Sequence, residues 1–294
     1  MRIVVTGATS FIGLAVIENL LHGGHEVLAV ARPDSPGRKK LEGRKGIRIL
    51  TCGLDHIGNL TDPLVLAGRP DGPGGSGAAR GADAWLHLGW EGAGSANRQN
   101  PQLQARNIGY ALESLRTAAA IGCTRFLFSG SQAEYGIYST VMKEDGVCSP
   151  VSEYGKDKLE VCRRASEDHP WSLVSTCIDT FLRGGHMEMG ACTQMWNFLY
   201  ITDAARALAG LLLAKAPAGV YNVAGEDTRP LKEYIEELHG LCGGKGTYEY
   251  GKRLPNAEGV VSLMPDISKL TRAAGFRQEV SFGDGIREML KLRY

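Results

Sequence analysis

Ile3-Val4-Val5-Thr6-Gly7-Ala8-Thr9-Ser10-Phe11-Ile12-Gly13 is the stretch on which the reading of the whole chain turns. Its first three residues are β-branched and uninterrupted, as a strand buried on both faces requires. A glycine-punctuated turn follows and runs directly into Leu14 to Leu21, which is helical in composition and period. A second strand, Glu26 to Ala31, comes next and ends at Arg32. Strand, glycine turn, helix and strand in that order form the setting in which spaced glycines aim the amides of a helix start at a pyrophosphate. Gly7 permits the tight turn and Gly13 lets the helix approach the strand. Ser10 stands where a middle glycine would let backbone come close to phosphate, and its hydroxyl can donate to that phosphate instead. A glycine-rich turn without a ligand is the alternative, and it stays open at this point.

Working outward, Ile47 to Leu50 is expected as a third strand and Ala84 to Leu88 as a fourth. Phe126 to Phe128 is expected as a fifth. The region up to Leu66 is weakly patterned, and Gly68 to Gly81 is too rich in glycine and proline for regular structure. Gln102 through Ile121 reads as a long helix, with Leu103, Ala111, Leu112, Leu115 and Ala119 on one side. Strands alternating with helices imply a parallel, doubly wound α/β sheet. Ligands of such sheets sit at the carboxyl ends of the strands, which draws Leu88 and the following Gly89-Trp90-Glu91-Gly92 toward a site. His87 reads as a packed strand residue.

Beyond the core, Ser172 to Ile178 is expected as a sixth strand and Phe198 to Ile201 as another short one. Thr202-Asp203 is expected to cap a helix from Ala204 to Lys215. Val220 to Val223, a helix from Leu231 to Leu241 and a terminal helix from Asp284 to Lys291 complete a smaller C-terminal part. The expected division is a Rossmann-type dinucleotide-binding domain over residues 1–170, with 198–215 returning to it. The remainder, 171–294, would be a smaller α/β substrate-binding lobe.

The chemistry is expected between Arg125 and Lys158. The fifth strand breaks at Ser129-Gly130-Ser131-Gln132-Ala133-Glu134-Tyr135-Gly136, and Tyr154-Gly155-Lys156-Asp157-Lys158 then opens a helix. Residues four apart on a helix share a face, so Tyr154 and Lys158 point the same way. With Ser131 at the strand end they can handle a proton beside a carbonyl. A free tyrosine titrates near about 10, so acid/base work near neutrality needs it lowered by ~3 units, or ~4 kcal/mol, and a nearby ammonium acts in that direction. Tyr248 to Lys252 repeats the spacing, but no comparable strand and serine turn precede it.

Composition bounds the rest. The chain has 294 residues, 43% hydrophobic and 22% charged, which argues for a globular protein over a disordered one. A net charge of +1 provides no global field for nucleic acid or anionic membrane. Seven scattered cysteines without a C-x-x-C pair suggest reduced thiols, with neither a disulfide frame nor a metal site expected. The chain enters a strand pattern at once and carries no apolar run of membrane-spanning length, so a cytoplasmic location is expected.

Taken together, TGATSFIG, WLHLGW, FLFSGSQAEYG, YGKDK, WNFLYITDAARAL and VYNVAGE make the chain resemble an extended short-chain dehydrogenase/reductase of the type that works on nucleotide sugars. The resemblance covers nearly the whole sequence. It implies Tyr154 as acid/base, Lys158 as the residue that holds the nicotinamide ribose, and Ser131 as a hydrogen-bond partner of the reacting sugar oxygen. It implies that Gly7, Ser10, Phe11, Ile12 and Gly13 wrap the pyrophosphate, with Leu88 also on the cofactor side. Asn107 matches an asparagine that the family carries in this helix. Gln132, Gln194, Trp196, Asn197 and Arg253 are the expected substrate contacts; an arginine fork suits a diphosphate. The resemblance further implies a homodimer through helices Gln102 to Ile121 and Tyr154 to Asp168, with Leu112, Leu115 and Val161 available as apolar surface.

The chain departs from the family in three places. Dehydratases place Asp and Glu directly after the catalytic hydroxyl residue, where Gln132 and Ala133 stand, with Glu134 one position late. Gly53 replaces an aspartate after the third strand, with Asp55 displaced. Leu182 to His186 also runs almost directly to Gln194, where the family has a longer substrate-covering segment. The expected function is an NAD(P)-dependent 4-ketoreductase or 4-epimerase of a nucleotide-activated sugar. A non-catalytic dinucleotide-binding regulator and a reductase of a non-sugar carbonyl compound stay open beside it. Arg32, where NAD-binding units carry an acid, favours NADP through its charge and forked donors, with NAD as the alternative.

Overall fold

The computed structural model describes residues 1–62, 81–138, 140–165, 173–214, 216–253 and 261–291. Its centre is a five-stranded sheet of β1 (Arg2–Thr6), β2 (Glu26–Ala31), β3 (Ile47–Thr51), β4 (Ala84–His87) and β5 (Arg125–Phe128). The strand order is β3-β2-β1-β4-β5 and every pairing is parallel. The order reverses between β1 and β4, and it is at such a switch point that an open parallel sheet forms its ligand crevice.

Alternation along β1 shows why these residues form a central strand. Ile3 and Val5 face one cluster, with Val16, Ile17 and Leu20 of α1 (Phe11–His22). Val4 faces the other, with Leu28, Leu50, Trp85 and Ala118. Both faces are dry, and each fully buried Val or Ile contributes about 1.5–3 kcal/mol relative to exposure. The second face is covered by α2 (Pro101–Ala120), within one residue of the helix expected from periodicity. Asn100 caps it by accepting from the Leu103 amide at 3.1 Å.

The catalytic-motif helix is α3 (Glu153–Ala165). After it, the expected sixth strand is corrected. Residues from Leu173 onward form α4 (Leu173–Leu182), and Ser172 lies outside the described residues. Its buried residues Cys177, Ile178 and Phe181 recur at helical spacing and pack on Leu231, Ile235 and Leu238. Tertiary burial therefore overrides the strand preference of Val174, Thr176 and Ile178. The other expected short strand is displaced. β7 is Met195–Asn197, preceded by β6 (His186–Glu188), and Ile201 already begins α5 (Ile201–Leu213). Tyr200, not Thr202-Asp203, is the residue at the N-cap of α5.

β8 (Thr228–Pro230) pairs antiparallel with β7, and β9 (Thr247–Glu249) pairs parallel with β6. α6 (Leu231–Leu241) falls where the sequence put it. α7 (Ser268–Ala274) and α8 (Phe282–Lys291) follow, whereas Val220 to Val223 adopts no regular strand. Ala205, Ala209 and Leu212 of α5 join the cluster around Ile3, Val5 and α1. The expected loop over Gly68 to Gly81 falls, apart from Gly81, outside the described residues. Among the described residues no helix is long and apolar enough to cross a membrane.

Candidate active site

The glycine turn is built as a cradle. Gly7 has φ +64°, and a Cβ there would lie 2.8 Å from the Leu88 carbonyl carbon, so the turn sits hard against the end of β4. A Cβ on Gly13 would lie 2.3 Å from the Gly7 carbonyl oxygen, which fixes how closely α1 approaches β1. Ser10 is the N-cap of α1, its Oγ accepting from the Gly13 amide at 3.0 Å. A hydroxyl that accepts in a cap keeps its own hydrogen for an anion. The first-turn amides of a helix, here those of Phe11 and Ile12, have no intrahelical acceptor, and the side chain of Phe11 is 74% exposed. A close-packed turn, a free-standing helix start and a hydroxyl at its cap suit a pyrophosphate.

At the end of β2, Arg32 is exposed and lies 3.7 Å from Asp34. The Thr9 hydroxyl meets the Ser35 hydroxyl at 2.7 Å, and Gly37 packs on the Thr9 backbone. The segment after β2 therefore folds back over the glycine turn. Arg38 is engaged with Glu42 at 3.0 Å and with the Thr51 hydroxyl at 2.8 Å.

Tyr154 and Lys158 lie on one face of α3, as their spacing requires, and both are buried. The Lys158 ammonium donates to the Ser129 carbonyl at 2.5 Å and sits 5.8 Å from the centroid of the Tyr154 ring. It also lies 4.1 Å from the Trp90 ring centroid and 4.7 Å from that of Phe128. The Arg98 guanidinium stacks on the Tyr154 ring at 4.6 Å. The Arg98 carbonyl accepts from the Tyr154 amide at 2.9 Å.

Ser131 is buried at the carboxyl end of β5, where Ser131 and Glu134 close a capping box around the short turn Gln132–Glu134. The Ser131 amide donates to Glu134 Oε1 at 2.5 Å, and the Ser131 Oγ accepts from Ala133 at 3.1 Å. Ala133 then packs against α3, its carbonyl oxygen 2.4 Å from where a Gly155 Cβ would stand. That contact sets serine turn and tyrosine helix side by side. Gln132 is half-buried on the turn.

His87 ends β4 with its Nδ1 2.9 Å from the Thr6 hydroxyl. It packs against Phe126 and Phe128, stacked on the first and tilted against the second. Burial, with the Lys158 charge adding, lowers its pKa from 6.5 to about 3, so it is neutral in the folded protein. Packing was expected of this residue.

The expected substrate contacts do not gather into one cluster. Asn197 spends its side-chain amide on a latch, donating to the Gly225 carbonyl, the Asp227 carbonyl and the Thr228 hydroxyl and accepting from the Gly225 amide. Trp196 joins the apolar core around Phe181 and Leu238, tilted against Phe198. Gln194 is half-buried and accepts from the Leu231 amide through its carbonyl. Arg253 is exposed, its amide donating to Met189. The second Tyr-x-x-x-Lys copy lies on β9 and the turn after it, with Tyr248 packed among Phe181, His239 and Tyr250.

Sequence reasoning drew Trp90 toward the site as part of Gly89-Trp90-Glu91-Gly92 and missed Arg98; both lie on the segment between β4 and α2. Buried amides on α2 set its path. Gln104 donates to the Gly92 and Asn97 carbonyls and accepts from the Trp90 indole. Asn107 accepts from the Glu91 amide and donates to the Glu91 carbonyl, a structural role.

A 3-2-1-4-5 parallel sheet, a glycine turn at its switch point and a Tyr/Lys helix beside a serine turn define an extended short-chain dehydrogenase/reductase. The model of the NAD dependent epimerase/dehydratase family matches residues 3–167, more than half of the sequence. The chain belongs to that family. It is 26% identical over 155 residues to dTDP-6-deoxy-L-talose 4-dehydrogenase (NAD(+)) of Aggregatibacter actinomycetemcomitans, covering 53% of this chain and 50% of that one. The chain spans about half the length of the curated relatives it matches, 41% of one and 50% of another. Among solved structures, MoeE5 in complex with UDP-glucuronic acid and NAD superimposes over 100% of both chains, with TM-score 0.80 and 22% identity. UDP-glucose 4-epimerase of Thermotoga maritima with UDP-glucose does so over 100% of both chains, with TM-score 0.80 and 18% identity.

Proposed function

We propose that this protein catalyses hydride exchange at C4 of a nucleotide-activated sugar, as a 4-ketoreductase or 4-epimerase. The observation that carries the proposal is the buried Tyr154/Lys158 pair on α3 beside Ser131, at the carboxyl edge of the sheet that holds the glycine turn. A nicotinamide dinucleotide held by that turn supplies the hydride donor or acceptor. Tyr154 takes the proton of the sugar hydroxyl as its carbon is oxidised, and returns it when the carbonyl is reduced. Lys158 holds the ribose side and favours the phenolate, while Ser131 hydrogen-bonds the reacting oxygen. Support also comes from the relatives, whose names carry UDP- and dTDP-linked sugars.

Elimination of water is not part of the proposal. Gln132 cannot act as an acid, Ala133 bears no functional group, and Glu134 is committed to the capping box.

Arg32 favours NADP, since its forked donors suit a 2′-phosphate. Two observations favour NAD as the second reading: Asp34 sits 3.7 Å from Arg32, and the similar structures hold NAD. Titrating NADPH and NADH against wild type and Arg32→Glu tests the choice. The expected result is tighter NADPH binding that reverses in the variant. Equal affinities, or NAD released when the purified protein is denatured, select the cofactor-retaining epimerase. For the reaction itself, the protein is incubated with NADPH and a panel of 4-keto nucleotide sugars. Consumption of small carbonyl compounds alone, or cofactor binding without any turnover, would refute the sugar assignment.

Pairing of two copies is proposed only through Leu112 and Leu115, which are half-buried on α2. Val161, expected as part of that surface, packs inward with Ala111 and Phe128.

A further inference from the structure

We infer that Trp90 is a positioning residue for Lys158, the wall of an aromatic cage that fixes the ammonium for its role beside Tyr154; this rests on the function proposed above. The ammonium has three neighbours of the right chemistry. The indole face of Trp90 lies at 4.1 Å, the ring of Phe128 at 4.7 Å, and the Ser129 carbonyl accepts at 2.5 Å. Aromatic faces attract a cation through their quadrupole, most strongly when the cation is desolvated, and Lys158 is 2% exposed.

Trp90 is itself held from behind. Its indole nitrogen donates to Gln104 Oε1 at 2.8 Å, and Gln104 is fully buried and tied to two backbone carbonyls. Its ring meets Phe128 at 6.1 Å and stands edge-on to Tyr154 at 6.0 Å. One side chain thus touches both members of the proton-handling pair and carries their spacing back to α2. A lysine head rides on a flexible four-carbon stem and swings unless its surroundings hold it. The cage removes that freedom.

Two variants and two readouts test the inference. Trp90→Leu removes the π face, and Trp90→Phe keeps one. The first readout is the rate at which a lysine-acylating reagent labels Lys158 in the intact protein, followed by peptide mass spectrometry. Labelling is expected to rise about tenfold in Trp90→Leu and to stay near wild type in Trp90→Phe, as loss of a desolvated cation–π contact implies. The second is turnover of a nucleotide sugar, where kcat is expected to fall about tenfold in Trp90→Leu with substrate KM little changed, and to be restored in Trp90→Phe. Unchanged labelling in Trp90→Leu overturns the cage, and equal exposure of Lys158 in both variants overturns its aromatic basis. Because labelling needs no turnover, a protein inert toward every nucleotide sugar would fail the proposed function while the cage is still decided.

Discussion

Replacing His87 by glutamine should flatten the acid side of the stability profile. In the folded protein His87 stays neutral down to a pKa of about 3, whereas its ordinary value is 6.5. Above pH 6.5 both states are neutral and the residue contributes no pH dependence. As pH falls from 6.5 toward 3 the unfolded chain takes up a proton that the fold refuses, so stability is lost across that window. Each pH unit in the window is worth about 1.36 kcal/mol, so two units are worth about 2.7 kcal/mol. The assay is urea unfolding of wild type and His87→Gln at pH 7.5 and near 4.5. Glutamine loses some packing between Phe126 and Phe128 at either pH, and that loss cancels in the comparison. Wild type should lose about 2–3 kcal/mol more than the variant on acidification. Parallel losses would show that His87 is protonated in the fold and would refute the account of its burial.

Gly13→Ala should abolish detectable cofactor binding and lower stability by about 1–3 kcal/mol, because the added methyl meets the Gly7 carbonyl oxygen at 2.3 Å; calorimetric titration and denaturant unfolding read the two effects. Asn197→Ala strips the latch between β7 and the Gly225–Thr228 turn and should cost about 2–3 kcal/mol in thermal or urea unfolding, with Tyr154 and Lys158 undisturbed. Tyr154→Phe keeps the ring against Arg98 and Trp90, so cofactor binding should persist while turnover falls at least about 100-fold; near wild-type turnover would remove Tyr154 as the acid/base. Light scattering at micromolar concentration should show a dimer, and a monomer alone would dismiss pairing through α2.

The parts legible in the sequence are those whose structure is set by local pattern. β1, the glycine turn and α1 follow from a β-branched run, a φ +64° glycine and an apolar helix stripe, all within 22 residues. α2 and α6 were equally plain because each carries its own apolar periodicity. Leu173–Leu182 was misread because its β-branched residues look like a strand, and only Leu231, Ile235 and Leu238, far along the chain, make it a helix. The same division runs through the site. Tyr154 and Lys158 share a face by helical spacing alone, and Ser131 with Glu134 carries a capping-box signature in plain view. Trp90 was drawn only to the neighbourhood of the site and Arg98 was hidden, because their segment reaches its path through buried side chains on another element, Gln104 above all.

The placement of α5 bears on how this chain can be made and cut. Ala205, Ala209 and Leu212 help α1, with its Val16 and Ile17, to close the sheet face of Ile3 and Val5, although some 200 residues of sequence separate α5 from that strand. Arg125, at the start of β5, donates to the Leu212 and Ala214 carbonyls and so fastens the end of α5 to the sheet. A fragment stopped at residue 170 would carry every strand of the sheet and α1, and still lack the part of that face's cover that α5 supplies. Ribosomal synthesis passes through that fragment, so the nascent sheet must wait for its last cover or be shielded meanwhile. Contacts that span so much of the chain also slow closure, since the loop entropy is lost before the apolar contacts return it. Shortened versions for crystallisation or expression should therefore keep residues through Ala214, and a cut between α3 and α4 that looks natural by sequence should yield aggregate.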